Sequence, residues 1–228
     1  IGSIEPALAD ALRSAGMPLV ARAGGECVVG PPDAALARIA RWLFTQGRCG
    51  RWRDELLAVT DESLLRHAVI ERAAVRPLGI ATFAVHLVGF TPKGHVWVQQ
   101  RALDKATDPG QWDTLVGGLV AADESEALAL ERETWEEAGL RTDALHGLAQ
   151  VDRITVRRPV REGYMVEHIG VFEAVVPEGA VPVNQDGEVA CFECMQPDDL
   201  IDRLVAGAFT LEAGLILARS LARRRLLG

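Results

Sequence analysis

Residues 117–140 read Gly-Gly-Leu-Val-Ala-Ala-Asp-Glu-Ser-Glu-Ala-Leu-Ala-Leu-Glu-Arg-Glu-Thr-Trp-Glu-Glu-Ala-Gly-Leu. Asp123 or Ser125 is placed to cap a helix, Ala127, Leu128 and Leu130 to help bury one face, and Gly139 to end it. Glu133, Glu136 and Glu137 stand three and four residues apart, so on a helix their carboxylates project from one side. Like charges at that spacing oppose the helix by a few tenths of a kcal/mol per pair, and a bound divalent cation reverses the sign.

Three neighbouring glutamates can also be no more than a solvated acidic face. Arg132 set among them, and the glycines at both ends of the run, favour a built site. Oxygen-only ligands select Mg²⁺ or Mn²⁺ over zinc. Mg²⁺ keeps part of its water shell and bridges phosphate oxygens, so a phosphoryl or diphosphate substrate suits the pattern.

The run resembles the Nudix box, G-x5-E-x7-R-E-U-x-E-E-x-G-U with U aliphatic, through Gly118, Glu124, Arg132, Glu133, Glu136, Glu137, Gly139 and Leu140. It departs at Thr134, an aliphatic position that concerns packing rather than ligation. The resemblance to the Nudix hydrolase superfamily implies an α+β fold, an α/β/α sandwich with a mixed sheet. It implies Mg²⁺ or Mn²⁺ as cofactor and water attack on a diphosphate phosphorus. Glu136 and Glu137 would be the main metal ligands, and Glu133 a ligand or the base that activates water. Glu124 would assist through the water shell or by pairing with Arg132. Arg132 would hold the glutamates, and the carbonyl of Gly117 or Gly118 would add a ligand.

Further stretches are similar to one Nudix subgroup: Glu71-Arg72-Ala73, His86-Leu87-Val88-Gly89-Phe90, Trp97–Arg101 and Lys105–Asp113. Its members resemble the Nudix portion of thiamine-pyrophosphokinase-related proteins and carry an extra N-terminal domain. That likeness implies hydrolysis of thiamine diphosphate, or of its oxidised or damaged forms, to the monophosphate. Read as residues alone, Arg101 and Lys105 leave a strand end where they could meet substrate phosphates by charge-assisted bonds, or serve as solvated charge. Trp112 could stack on a heteroaromatic ring or fill a core position. Glu188, after the turn signal Asp186-Gly187, is a candidate acidic ligand from outside the box. His86 alternates with apolar neighbours and reads as structural.

Working outward, residues 1–78 are expected to form a small N-terminal α/β domain and residues 79–228 the Nudix domain. In the first, the spacing predicts a helix over 4–16, two short strands about Gly24-Gly25, a helix opened by Pro31-Pro32-Asp33, a strand within 51–60, and a helix over Glu62–Arg76 built on Leu65, Val69 and Arg72. In the second it predicts a hairpin of 80–90 and 95–101, a helix near 125–138, strands near 148–158, 164–176 and 188–195, and helices over 197–206 and 211–224.

The formal charge of −8 argues against broad binding to a nucleic-acid backbone. No apolar run approaches the ~20 residues of a membrane span, and the opening Ile1-Gly2-Ser3-Ile4-Glu5 does not read as a secretory leader. Cys27, Cys49, Cys191 and Cys194 are too few for a disulfide scaffold, so a cytoplasmic setting is expected. Cys191-Phe192-Glu193-Cys194 lacks a second cysteine pair for zinc, and its alternation reads as a strand. The basic stretch Arg219–Arg225 on a final helix is expected to complement the helix dipole.

The leading functional expectation is therefore a Mg²⁺-dependent pyrophosphohydrolase acting on a small-molecule diphosphate. A non-catalytic nucleotide- or diphosphate-sensing module on the same fold is the alternative, although a pure binder has no need of the glutamates. Isomerisation of a prenyl diphosphate is a third reading, against which no cysteine lies within or beside the box. The N-terminal unit is expected to cover the site, shape specificity or support a homodimer.

Overall fold

The computed structural model describes residues 1–224. The chain forms two compact units, one of residues 1–83, 120–124 and 155–168, the other of 84–119, 125–154 and 169 onward.

In the first unit, α1 (Pro6–Ser14) starts on a proline and buries Leu8, Ala9 and Leu12 at helical spacing. Strands β1 (Leu19–Arg22) and β2 (Gly25–Val28) pair antiparallel, with Leu19 opposite Val28. Helix α2 (Pro32–Thr45) buries Ala35, Leu36, Ile39, Ala40 and Leu43, as its apolar periodicity requires. Strand β3 (Leu56–Thr60) then pairs antiparallel with β4 (Arg66–Glu71).

Strand β4 corrects the expectation of a helix over 62–76. Leu65, Val69 and Arg72 match a helical period, but Ala68 and Ile70 are the buried positions and stand two apart, the period of a strand. The Asp61 carboxylate accepts from the amides of Ser63 and Leu65, and Leu64 takes a left-handed φ of 65°. That tight turn occupies the place where a helix would begin. Only Arg72–Ala74 is helical, as one 3₁₀ turn capped by the Glu71 side chain.

The second unit holds most of a seven-stranded sheet. Its strands are β5 (Ala81–Phe90), β6 (Val96–Arg101), β7 (Trp112–Asp113), β8 (Val116–Leu119), β9 (His146–Val160), β10 (Gly163–Val175) and β11 (Val189–Met195). The order is β11-β6-β5-β10-β9, with β7 paired to β6 and β8 to β5. The expected α+β class with a mixed sheet holds. The expected hairpin is present, with Phe90 opposite Val96. The short strands β7 and β8 lie within residues assigned to no element at the sequence level.

Helices α3 (Glu126–Ala138), α4 (Pro197–Val205) and α5 (Leu211–Arg223) complete this unit. Its core holds Val85, Leu87, Val98, Ile169, Leu200, Ile216 and Leu217, each buried almost completely. Burial of side chains of this size contributes roughly 1.5–3 kcal/mol apiece. Arg219 and Arg223 of α5 both bond to Asp152 of β9, so these basic residues act as side-chain anchors, whereas Arg225 lies outside the described residues.

Cys191 and Cys194 are free thiols whose partners across β6 are Gln100 and Trp97. Strand alternation puts them on opposite faces of the sheet, which rules out a mutual bond. Among the described residues, no helix is long and apolar enough to cross a membrane.

Candidate metal and diphosphate site

Ser125, rather than Asp123, caps α3 by accepting from the Leu128 amide, and Gly139 closes it with a left-handed φ of 62°. The buried face is Ala129, Leu130, Thr134, Glu137 and Ala138. Ala127 and Leu128, expected to help bury it, are exposed, because the helix is turned so that its glutamate side meets β8 and β6. Thr134 is fully buried, and its hydroxyl oxygen has no hydrogen-bond partner among the described residues.

Glu137 is the deepest of the box glutamates, with its side chain 2% exposed. One carboxylate oxygen accepts from the Gly117 amide at 2.9 Å and from the Gln99 side-chain amide at 2.9 Å. The other lies 3.8 Å from the Lys105 ammonium. Burial pushes the Glu137 carboxyl up to about 8, against the lowering influence of Lys105.

Glu133 points toward β8, where Gly118 has no side chain. A Cβ added there would fall on the Glu133 carboxyl group. Burial raises this carboxyl to about 7, opposed by Arg132 and reinforced by the charges of Glu136 and Glu188. Arg132 donates from one guanidinium nitrogen to Glu133 at 2.7 Å and to Glu136 at 3.1 Å. Its other terminal nitrogen donates to the Leu119 carbonyl at 3.1 Å, which ties the helix to β8. Glu136 is the most solvent-accessible of the three glutamates.

Two candidates from outside the box join this cluster. The Lys105 ammonium pairs with Glu188 as well as approaching Glu137. Glu188 follows the expected turn, in which the Asn184 side chain accepts from the Asp186 and Gly187 amides. Arg101 instead turns back on its own loop, donating to the Thr107 carbonyl and, at 3.2 Å, to Asp113. Trp112 is half-buried in β7, with the Arg203 guanidinium 5.1 Å from its ring centroid. Glu124 belongs to the first unit, where its carboxylate accepts from the Ala121 amide.

Gln99 was not singled out by sequence reasoning. Its one sequence signal is a polar residue in the alternating strand Val96–Arg101, and its 1% exposure follows from the sheet.

Among the described residues, no three potential ligands are already arranged around a common centre. The fit to a cation rests on charge and space. Glu133 and Glu137 are two desolvated carboxyls with raised proton affinity, flanked by Glu136 and Glu188, and Gly118 leaves the Glu133 carboxyl its room. Hard oxygen donors in this number suit Mg²⁺ or Mn²⁺.

Residues 81–213 match the family model of the NUDIX domain, which covers more than half of the chain. The chain belongs to the Nudix family. Within it, this Nudix chain is 29% identical over 162 residues to Nudix hydrolase 24, chloroplastic, of Arabidopsis thaliana, covering 69% of this chain and 44% of that one. It is 34% identical over 135 residues to Nudix hydrolase 20, chloroplastic, of the same plant, covering 54% and 34%. It is also 30% identical over 138 residues to the isopentenyl-diphosphate Delta-isomerase of Corynebacterium glutamicum, covering 59% and 72%. The chain thus spans less than half the length of the two plant relatives. In fold it is similar to the DR0079 protein of Deinococcus radiodurans, with a TM-score of 0.61 at 22% identity, covering 72% of this chain and 98% of that one.

Proposed function

We propose that this Nudix chain hydrolyses a diphosphate linkage of a small molecule with the help of Mg²⁺ or Mn²⁺. The observation that carries the reading is the buried carboxyl pair Glu133 and Glu137, desolvated side by side against the glycines of β8. Glu136 and Glu137, with the Gly118 carbonyl, would hold the cation, Glu133 would be a further ligand or the base, and Arg132 keeps Glu133 and Glu136 in place. When bound, the cation supplies charge neutralisation on the diphosphate and makes water easier to deprotonate.

As the base, Glu133 would accept the proton of the attacking water. The new bond is water oxygen to phosphorus, and the bond broken joins phosphorus to the bridging oxygen. Lys105 would exchange Glu188 for a substrate phosphate. Arg101 holds the loop that carries Lys105 through the Thr107 carbonyl, and Glu188 would serve as an auxiliary carboxylate.

For the substrate, we propose thiamine diphosphate or its oxidised analogues, cleaved to the monophosphate. The support is the likeness of residues 86–113 to the thiamine-related subgroup. The reading also divides the chain at 78/79 into an N-terminal domain and a catalytic domain. It sets the protein in the cytoplasm, on the strength of its free cysteines.

The test is phosphate release in Mg²⁺ across thiamine diphosphates, nucleoside di- and triphosphates, sugar nucleotides and dinucleotides, with wild type and Glu136→Gln/Glu137→Gln. Loss of turnover in a folded double variant is expected, and full activity in that variant sinks the proposal. Tight binding without release across the whole panel would favour a sensing module instead.

Prenyl-diphosphate isomerisation is the second reading, favoured by the Corynebacterium relative. Against it stands the lack of a cysteine within or beside residues 118–140. Incubation with isopentenyl diphosphate in D₂O, followed by NMR, separates the two readings by deuterium incorporation.

A further inference from the structure

The glutamate site rests on a buried polar chain that neither the Nudix box nor the proposed ligand set includes. His86 lies on β5, 6% exposed, directly opposite Gly117 of β8. Its ring fills the space a side chain on Gly117 would take, since a Cβ there would come 2.7 Å from Cε1 of the imidazole. Nδ1 of His86 lies 2.8 Å from the Thr114 hydroxyl oxygen. That hydroxyl donates its only proton to the Val116 carbonyl at 2.9 Å, so the proton between His86 and Thr114 belongs to Nδ1.

The Val116 carbonyl and the Gly117 N–H are the two ends of one peptide plane. The Gly117 N–H donates to Glu137 at 2.9 Å. A continuous run of donors therefore leads from His86 through Thr114 and the Val116–Gly117 peptide to the Glu137 carboxylate.

Asp113 anchors the far end of this run. One of its oxygens accepts from the Thr114 amide at 2.8 Å and lies 3.7 Å from Nδ1 of His86. The other accepts from Arg101 at 3.2 Å, and Arg101 also grips the Thr107 carbonyl. Thr107 shares its loop with Lys105, the cation that approaches Glu137. Two of the three partners of Glu137, the Gly117 amide and the Lys105 ammonium, are thus set by one network, and Gln99 is the third. Rotation of the 116–117 peptide away from Glu137 would break the Thr114 bond as well, so the peptide has a single favoured orientation.

We propose that His86, Thr114 and Asp113 are positioning residues that lock the Val116–Gly117 peptide and thereby aim Glu137 at the metal. The inference rests on the reading of Glu137 as a metal ligand, and its test separates the two. Partners of this kind behind a metal ligand are worth about 10–100-fold in metal affinity.

The experiment measures Mn²⁺ affinity by EPR on purified full chain, together with hydrogen exchange of the Gly117 amide. The variants are Thr114→Val, Thr114→Ser, Glu137→Gln and His86→Phe. Thr114→Val keeps the side-chain shape and removes the hydroxyl. It is expected to weaken Mn²⁺ binding about tenfold or more and to speed Gly117 exchange, with a cooperative thermal transition retained. Thr114→Ser, which restores the hydroxyl, should recover both. Wild-type affinity and exchange in Thr114→Val would overturn the proposal, as would failure of Thr114→Ser to recover them. Should Glu137→Gln leave Mn²⁺ binding unchanged, the ligand assignment fails, and the proposal falls with it whatever Gly117 exchange shows. Should His86→Phe in a parallel sample lose no affinity, the ring alone suffices and the hydrogen-bonded run is refuted.

Discussion

The Glu133 carboxyl group lies where a side chain on Gly118 would be, so the residue that opens the box on β8 and the glutamate on α3 share one volume. Gly118 has no positive φ, and its role here is close approach rather than turn geometry. Gly118→Ala should therefore fold normally while displacing Glu133. A misplacement of this size is expected to lower kcat by about 100-fold, read by phosphate release beside an unchanged circular-dichroism melt. Wild-type kcat would show that Glu133 does not act from this position.

The raised carboxyls of Glu133 and Glu137 carry a stability signature in metal-free protein. Their ordinary value is 4.5, and burial lifts them to about 7 and about 8. The unfolded chain releases these protons first, so stability should fall as pH rises from the ordinary value toward the folded ones. Urea titrations in chelator across that window should show the decline. Glu137→Gln should shrink its upper part, and Mg²⁺ should reverse it by binding the folded state. Identical pH profiles for wild type and Glu137→Gln would contradict the assignment.

Thr134 occupies the aliphatic slot of the box with a buried hydroxyl that has no partner among the described residues. Valine has the same shape and no polar atom to desolvate. Thr134→Val should stabilise the protein by about 1 kcal/mol with catalysis unchanged, as measured by urea denaturation and a turnover assay. Destabilisation would mean that the hydroxyl finds a bond, for instance to water.

Asp152 draws Arg219 and Arg223 onto β9, and the Arg219 hydrogen bond, ahead of the other causes, holds its carboxyl below the usual range. A depressed folded value means that the stabilisation is present above the ordinary aspartate pKa and is lost as pH falls through the folded one. Asp152→Asn should lower the melting temperature at neutral pH, and the difference from wild type should close as pH falls through the depressed folded value of Asp152. A gap that persists at the acidic end would point to packing rather than charge.

Much of the site was legible because it is local. Glu133, Glu136 and Glu137 share a helix, and helical spacing alone puts them together. The hairpin of β5 and β6 and the terminal helices likewise follow from short-range patterns. The sequence-level helix over 62–76 failed because Leu65, Val69 and Arg72 also fit a helical period, while pairing with β3 and the Asp61 turn impose a strand. Strands β7 and β8 are too short to carry a pattern and exist only through partners on β6 and β5.

By itself the sequence determined the acidic helix, its closing glycine, the family and the cationic chemistry to which its carboxylates are suited, because each depends on residues within a few turns of one another. Tertiary structure decided what surrounds them. Gln99, Gly117 and Lys105 converge on Glu137 from separate segments, Arg101 turns to Asp113 instead of the glutamates, and His86 lies behind Gly117. Those relations are set by sheet register and burial, which bring residues distant in the chain within hydrogen-bond reach and strip the water that would otherwise hold Glu133 and Glu137 at ordinary acidity.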